Sequence, residues 1–320
     1  MRQNLLSLLA FGLLNPVHVA GNACVRQLYQ FPNTTFHDIE NVAIRPNGHL
    51  LLNTITEPVL YTLDPSAIDP IATPLHHFDN ATGLGGITEV SPDVFAVVVG
   101  NYSVHEFKGI PGTFSIWLVD LKADVTSVKK LTSIPEALTL NGITTASKSV
   151  IMVADSPVGI IYSINIDTGC YQIGIQDAHF QPPPSSPFPL GINGIHRRDD
   201  TLYFTNSGQG TFGSLLITDK GNAAGQISII ANAPPGNFYD DFAIDSRNNP
   251  SITIHPSSIE TLMLPSGAVS SIINSTEIVH PTSCVFGNSR DTKRTLYVVT
   301  AGDASGSQII SGQVLAITPC

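Results

Sequence analysis

The chain has 320 residues, and its 25 acidic against 15 basic side chains give a net charge of −10 with no basic run, which argues against a nucleic-acid partner. Only 12% of residues are charged, about half the usual share. Gly (26) and Pro (23) punctuate short apolar runs, and no stretch sustains a helical period, so the composition predicts an all-β protein rather than a helical one.

The first residues read as a leader. Arg2 precedes an apolar stretch at 5–14, and Gly21-Asn22-Ala23 offers small residues for cleavage, the pattern of a signal peptide over 1–23 that is too short to span a bilayer. An uncleaved anchor is the alternative reading. No later segment is long and apolar enough to be a membrane span. Acceptor sequons at Asn33, Asn80, Asn101 and Asn274 fit a secreted glycoprotein. Four cysteines follow, Cys24, Cys170, Cys284 and Cys320, without zinc-ligand spacing. Cys24 opens the mature chain and Cys320 ends it, so a Cys24–Cys320 bridge joining the termini is expected. Four cysteines allow other pairings.

After a lone strand at 25–31, six similar units follow in order: 39–65, 84–121, 140–169, 190–221, 239–267 and 281–319. Each reads as two strands around a polar turn such as Pro46-Asn47-Gly48, then a third strand. The second unit carries an insertion at 102–113. The first polar positions of the units are Glu40, Gly85, Asn141, Asn193, Asp240 and Thr282, and they step by 42 to 56 residues. That is the period of a four-stranded propeller blade. The prediction is a single six-bladed β-propeller over 24–320, with the lone N-terminal strand completing the last blade and closing the ring. A two-domain β-sandwich is the alternative, and it leaves the six similar starts unexplained. The segment QPPPSSPFP at 181–189 excludes helix and central strand and reads as a long loop, either a linker or a cover over the channel mouth.

In such a ring the first residues of the inner strands surround one mouth of the channel: Glu40-Asn41, Gly85-Gly86, Asn141-Gly142, Asn193-Gly194, Asp240-Asp241 and Thr282-Ser283. The second strands end at Asn53, Asn101, Asp155, Asn206, His255 and Thr300, which predicts a wider polar ring around the first. Carboxylate and amide oxygens of this kind suit calcium, with Glu40, Asn141, Asn193 and Asp240 or Asp241 as the set. Asn, Asp and Gly at strand starts are also ordinary turn formers. The GxGxxG match at 208–213 lies between two strands with no helix after it and is rejected as a dinucleotide site. Neither a GxSxG elbow nor an HExxH pair occurs. His76-His77 read as a solvated loop, His196 as a packed inner-strand residue, and His255 as the best-placed histidine for acid–base work. Phe114, Trp117, Phe188, Phe238 and Tyr239 are candidates for an apolar pocket wall, and Phe188 and Tyr239 are taken as substrate-binding.

The closing segment PTSCVFGNSRDTKRTLYVVTAGD (281–303) resembles the C-terminal signature of the senescence-marker-protein/gluconolactonase-like propellers, through its Thr-Ser-Cys start, Phe-Gly turn and Leu-Tyr-Val-Val-Thr strand. Glu40 with Pro46-Asn47-Gly48 resembles the first blade of paraoxonases and gluconolactonases. Asn141, Asn193 and Asp240-Asp241 resemble their later calcium ligands. The resemblance implies a calcium ion that polarises a lactone carbonyl while a base activates water. The chain departs from paraoxonases at Gly85, where they carry a catalytic histidine, and at Asn41 and Gly142, where they carry acidic ligands of a second calcium.

In size, leader and polarity the chain is more similar to secreted fungal propellers of secondary metabolism, among them the hetero-Diels–Alderases of tropolone sesquiterpenoid biosynthesis. That resemblance implies small apolar substrates, a terpene olefin and a tropolone quinone-methide-type diene, held in a dry pocket with no cofactor required. On this reading the two polar rings supply the groups: Glu40, Asn141, Asn193, Asp241 and His255 as catalytic, with Asn53, Asn101, Asp155, Asn206 and Thr300 around the substrate. A calcium-dependent lactonase is the alternative, and a propeller that only binds a ligand is the third reading.

Overall fold

The computed structural model describes residues 23–320 except 104, 105, 107, 124, 185, 187 and 188. All of the predicted leader but Ala23, which opens the first strand, therefore lies outside the described residues, as does Phe188. Six antiparallel four-stranded sheets follow one another in a ring. Blade 1 is Ile39–Ile44, Leu50–Thr54, Val59–Leu63 and Thr73–His77, so His76 and His77 end an outer strand instead of lying in a loop. Blade 2 is Gly83–Ser91, Val94–Gly100, Ser115–Asp120 and Ser127–Ser133, and its insertion forms a small hairpin of Tyr102–Ser103 with Lys108–Gly109. Blade 3 is Leu140–Ser147, Val150–Asp155, Ile160–Asn165 and Tyr171–Gln176. Blade 4 is Ile192–Arg198, Thr201–Asn206, Thr211–Leu216 and Ser228–Asn232. Blade 5 is Phe238–Ile244, Pro250–His255, Ser258–Met263 and Ala268–Asn274. Blade 6 takes Pro281–Phe286, Leu296–Thr300 and Gln313–Pro319 from the C-terminus, and Ala23–Gln30 from the N-terminus as its outermost strand. The expected ring closure is present, and the Cys24–Cys320 disulfide fastens its two ends.

The strand pattern follows from simple chemistry. Second strands such as Val94–Gly100 are buried along their whole length between neighbouring blades, which is why they read as unbroken apolar runs. Four of the six turns joining first and second strands use a left-handed residue. Gly48 (φ 88°), Asp93 (φ 58°), Asp199 (φ 53°) and Asn248 (φ 66°) supply it.

The six inner strands pack side by side around the channel, blade 6 against blade 1. Every one of them breaks register with its partner strand at the same place. The irregularities fall between Ile39 and Asn41, Leu84 and Ile87, Leu140 and Ile143, Ile192 and Ile195, Tyr239 and Phe242, and Pro281 and Ser283. The polar positions found in the sequence are therefore a ring of bulges, which turn side chains out of the sheets.

The Asn-Gly pairs do not make turns. A Cβ on Gly142 would lie 2.3 Å from the Asn193 carbonyl oxygen, and one on Gly194 would lie 2.2 Å from Asp241 Oδ1 and 2.8 Å from its Cα. Glycine there lets each blade press its bulge onto the next. Gly194→Ala is expected to cost about 2 kcal/mol through overpacking, read as a lower urea midpoint. An unchanged midpoint would show that the contact is loose.

The blades are also stapled by single hydrogen bonds into the next bulge. Asn53 donates to Gly85 O (2.7 Å), Tyr102 to Leu140 O (3.2 Å), Ser156 to Ile192 O, Thr205 to Asp240 O, Thr253 to Thr282 O (3.0 Å) and Thr282 to Ile39 O.

Candidate functional site at the channel mouth

The bulges bring carboxylates from two blades to the channel. Asp241 is the most connected. Its Oδ1 pairs with His196 Nε2 (2.8 Å), and its Oδ2 accepts from Ser283 Oγ (2.7 Å) and Asn41 Nδ2 (3.2 Å). One carboxylate of blade 5 thereby joins blades 4, 6 and 1. The preceding residue, Asp240, accepts from Asn193 Nδ2 (2.7 Å) on Oδ1 and pairs with His255 Nε2 (2.9 Å) on Oδ2. His255 stacks on Phe238 with ring centroids 4.3 Å apart, and its Nδ1 lies 3.2 Å from His280 Nδ1. Glu40 is hydrogen-bonded to the Asn141 side chain, across the blade-2 bulge.

These neighbours drive the two aspartates apart. Burial pushes Asp241 upward, but the His196 imidazole and the hydrogen bonds from His196, Ser283 and the Phe242 amide outweigh it, and its carboxyl lies below the ordinary value. Burial dominates at Asp240, whose carboxyl stays above the ordinary value despite His255 and Asn193. Glu40 is pushed well up, first by burial and then by Asp240, Asp38 and Asp241. Asp38 rises to about 7 through burial and the nearby Asp240.

The pH dependence follows. Raised carboxyls stabilise the fold fully below about pH 4, where the unfolded chain also holds those protons. That contribution is lost as pH rises through about 7 at Asp38. Asp241 acts in the opposite sense, losing its contribution as pH falls below its ordinary value. Stability should therefore peak in mild acid, with a higher Tm at pH 5 than at pH 8. Asp38→Asn should flatten this slope, by at most about 4 kcal/mol for a shift of this size. Parallel slopes for the two proteins would refute the assignment.

The structure thus brings Glu40, Asn141, Asn193, Asp240, Asp241 and His255 together at one mouth. Of the wider ring only His255 is brought there. Asn53, Asp155, Asn206 and Thr300 are fully buried. Asn53 serves the blade 2 bulge, Asp155 accepts from the Leu138 and Thr139 amides (3.0 and 2.9 Å), Asn206 donates to His179 O and Gln181 O (2.9 and 3.0 Å), and Thr300 accepts from the Gln313 amide (2.9 Å). Second strands end beneath the loops, so their last side chains cap backbone instead of facing the channel. Asn101 is partly exposed, but its Oδ1 is buried with no hydrogen-bond partner among the described residues, unlike the exposed sequon residues Asn33, Asn80 and Asn274. Tyr239 is fully buried and donates to Glu260 Oε2 (2.9 Å), so it belongs to the core of blade 5. Phe114 is buried, and Trp117, on the third strand of blade 2, packs edge-on against Phe78.

Sequence reasoning missed Asp38 and His280, and it took His196 for a packed residue. The signal was available: Asp38 and His280 each stand two positions before a bulge residue, Glu40 and Thr282.

The mouth holds hard oxygen donors of the type calcium takes, and Asp38 Oδ1 is buried with no hydrogen-bond partner among the described residues. Among the described residues, though, no three His, Cys, Asp or Glu side chains form a metal-holding group, and both Asp240 oxygens are engaged. As arranged, the cluster is a hydrogen-bonded network and does not fit a calcium cage.

No family profile matches the sequence. Two proteins named "putative hetero-Diels-Alderase" are similar to it. One, from Phoma sp., is 25% identical over 303 residues, covering 85% of each chain. The other, from Sarocladium schorii, is 26% identical over 314 residues, covering 85% of this chain and 77% of the relative. Among solved structures, the calcium-binding protein regucalcin of Agrobacterium tumefaciens superposes with a TM-score of 0.63 at 13% identity, over 90% of this chain and 92% of its own. A structure named "putative gluconolactonase" superposes with a TM-score of 0.61 at 12% identity, over 95% and 96%. The chain has the fold of the senescence-marker-protein/gluconolactonase-type six-bladed propellers. Among the described residues, no helix is long and apolar enough to cross a membrane.

Proposed function

We propose that the protein is a secreted cyclase of secondary metabolism, which joins an apolar terpene olefin to a tropolone quinone-methide-type diene at the channel mouth. Residues 24–320 would be its one domain after removal of the leader. The observation that carries this reading is the similarity to two hetero-Diels–Alderase-named proteins over 85% of the chain. A hetero-cycloaddition forms one C–C and one C–O bond at the expense of π bonds. It asks for no nucleophile and releases no proton. What it needs is two partners held in a near-attack pose and polar groups that stabilise charge building on the diene oxygen.

Glu40 suits the second task, because a carboxyl held protonated can donate a hydrogen bond to that oxygen. Asn141 and Asn193 can orient the same polar edge. Asp241, through His196, Ser283 and Asn41, keeps the bulges in position, and His255 with Phe238 offers a flat face for a ring. The test is turnover of a quinone-methide precursor with a terpene olefin, with and without EDTA. Cycloadduct formed equally in both supports the reading.

The second reading is a calcium-dependent lactonase, favoured by Asp38 Oδ1, which has no hydrogen-bond partner among the described residues and lies amid so many acidic oxygens. It requires Asp240 to release His255 or Asn193. Bound calcium in the purified protein, and lactone hydrolysis abolished by EDTA, would select it.

A further inference from the structure

Five of the six bulges present a polar side chain to the mouth. Blade 2 presents Gly85-Gly86. The space above Gly85 is not empty. A Cβ built there would lie 2.7 Å from the Tyr102 hydroxyl, 3.2 Å from Leu140 O and 3.3 Å from Val98 Cγ1. Tyr102 comes from the hairpin inserted between the second and third strands of blade 2; blade 6 carries a hairpin at the same point, Gly302–Asp303 with Ile310–Ser311, but no tyrosine in it. Its ring is held edge-on against buried Phe114, with centroids 5.3 Å apart. Phe114 is in turn wedged against Gly100 and Gly109, where any Cβ would lie 2.6 Å or less from its ring. Tyr102 is therefore held in place as a partly exposed residue, its hydroxyl bonded to Leu140 O beside the Asn141 bulge and within the field of Glu40.

We infer that the Tyr102 hydroxyl is blade 2's contribution to the polar ring and that it contacts an oxygen of the substrate. The hydroxyl's bond to Leu140 O, at 3.2 Å, is long for an O–H donor and uses its single proton. Both lone pairs remain able to accept, and rotation of the O–H lets it donate elsewhere. A ring carrying a hydroxyl beside a carbonyl, as tropolone does, offers a donor and an acceptor side by side and matches such a group. The assignment rests on the cyclase reading, and it names the residue that reads the oxygenated edge.

Tropolone itself is the probe, its binding measured by titration calorimetry on the full mature chain. Tyr102→Phe keeps the ring on Phe114 and removes only the oxygen. It should weaken tropolone binding about tenfold, the size of one hydrogen bond, with only a small Tm change, because the staple it removes to Leu140 O is long. Gly85→Ser alone crowds the phenol and should weaken binding similarly. In the Tyr102→Phe/Gly85→Ser double variant the serine hydroxyl falls where the phenol oxygen stood, and part of the affinity should return. Equal binding by wild type and Tyr102→Phe overturns the assignment and leaves the cyclase reading standing. A large Tm fall in Tyr102→Phe that accompanies the lost binding, with no rescue in the double variant, shows that the hydroxyl only staples blade 2 to blade 3. No tropolone binding by the wild type overturns the cyclase reading, and the assignment with it.

Discussion

Asp241→Asn should cost about 3 kcal/mol of stability, the lower end of the range for removing one partner of a buried charged network. For a domain of this size that is a Tm fall of roughly 5–10 °C. The reason is the number of groups that depend on one carboxylate. His196, Ser283 and Asn41 reach it from three other blades, and the Phe242 amide reaches it from its own. An amide has the right shape, but its NH2 end faces donors where the carboxylate offered a second acceptor, so some donors are left unpaired in a buried ring. The same change should lower cyclase turnover, because the bulges that carry Asn41, His196 and Ser283 lose their common anchor. Urea unfolding and turnover on one preparation check both halves. An Asp241→Asn protein as stable as wild type would mean that the ring does not depend on this carboxylate.

Removing the Cys24–Cys320 bridge should cost more. The two residues are 296 positions apart, and closing a loop of that length in the unfolded chain corresponds to about 6 kcal/mol in the chain-entropy account. Without the bridge, strand Ala23–Gln30 is still paired with Gln313–Pro319 along its length and still buries Leu28, with Phe31 just beyond it. The native state should therefore form in the Cys24→Ser/Cys320→Ser protein, with nearly native circular dichroism. Its denaturation midpoint should be lower, and proteolysis should start in the first strand. A midpoint within experimental error of wild type would show that pairing alone closes the ring.

The fold was legible because the propeller repeats its chemistry. The blades repeat a bulge, polar in five of the six, and an apolar run, and in four of them a turn residue able to take positive φ, so Gly48, Asp93, Asp199 and Asn248 mark those hairpins in the sequence. The inner polar ring was legible for the same reason, since a bulge needs the same residue types each time. The outer ring misled because Asn53, Asp155 and Asn206 are chemically identical to channel-lining residues. Only the packing shows that their side chains are consumed by backbone groups of neighbouring segments. His196 and Tyr102 were illegible for a different reason. One meets Asp241 across a blade boundary, and the other comes from an insertion that four of the six blades lack, so neither contact leaves a spacing in the sequence.

The central claim is that the channel mouth itself controls a cycloaddition. The most direct test is the enantiomeric excess of cycloadduct formed from a tropolone quinone-methide precursor and a terpene olefin, with wild type and with Glu40→Ala. The account predicts one enantiomer in large excess with wild type, and a drop toward the racemic background with Glu40→Ala at unchanged fold. Racemic product with both proteins would contradict it.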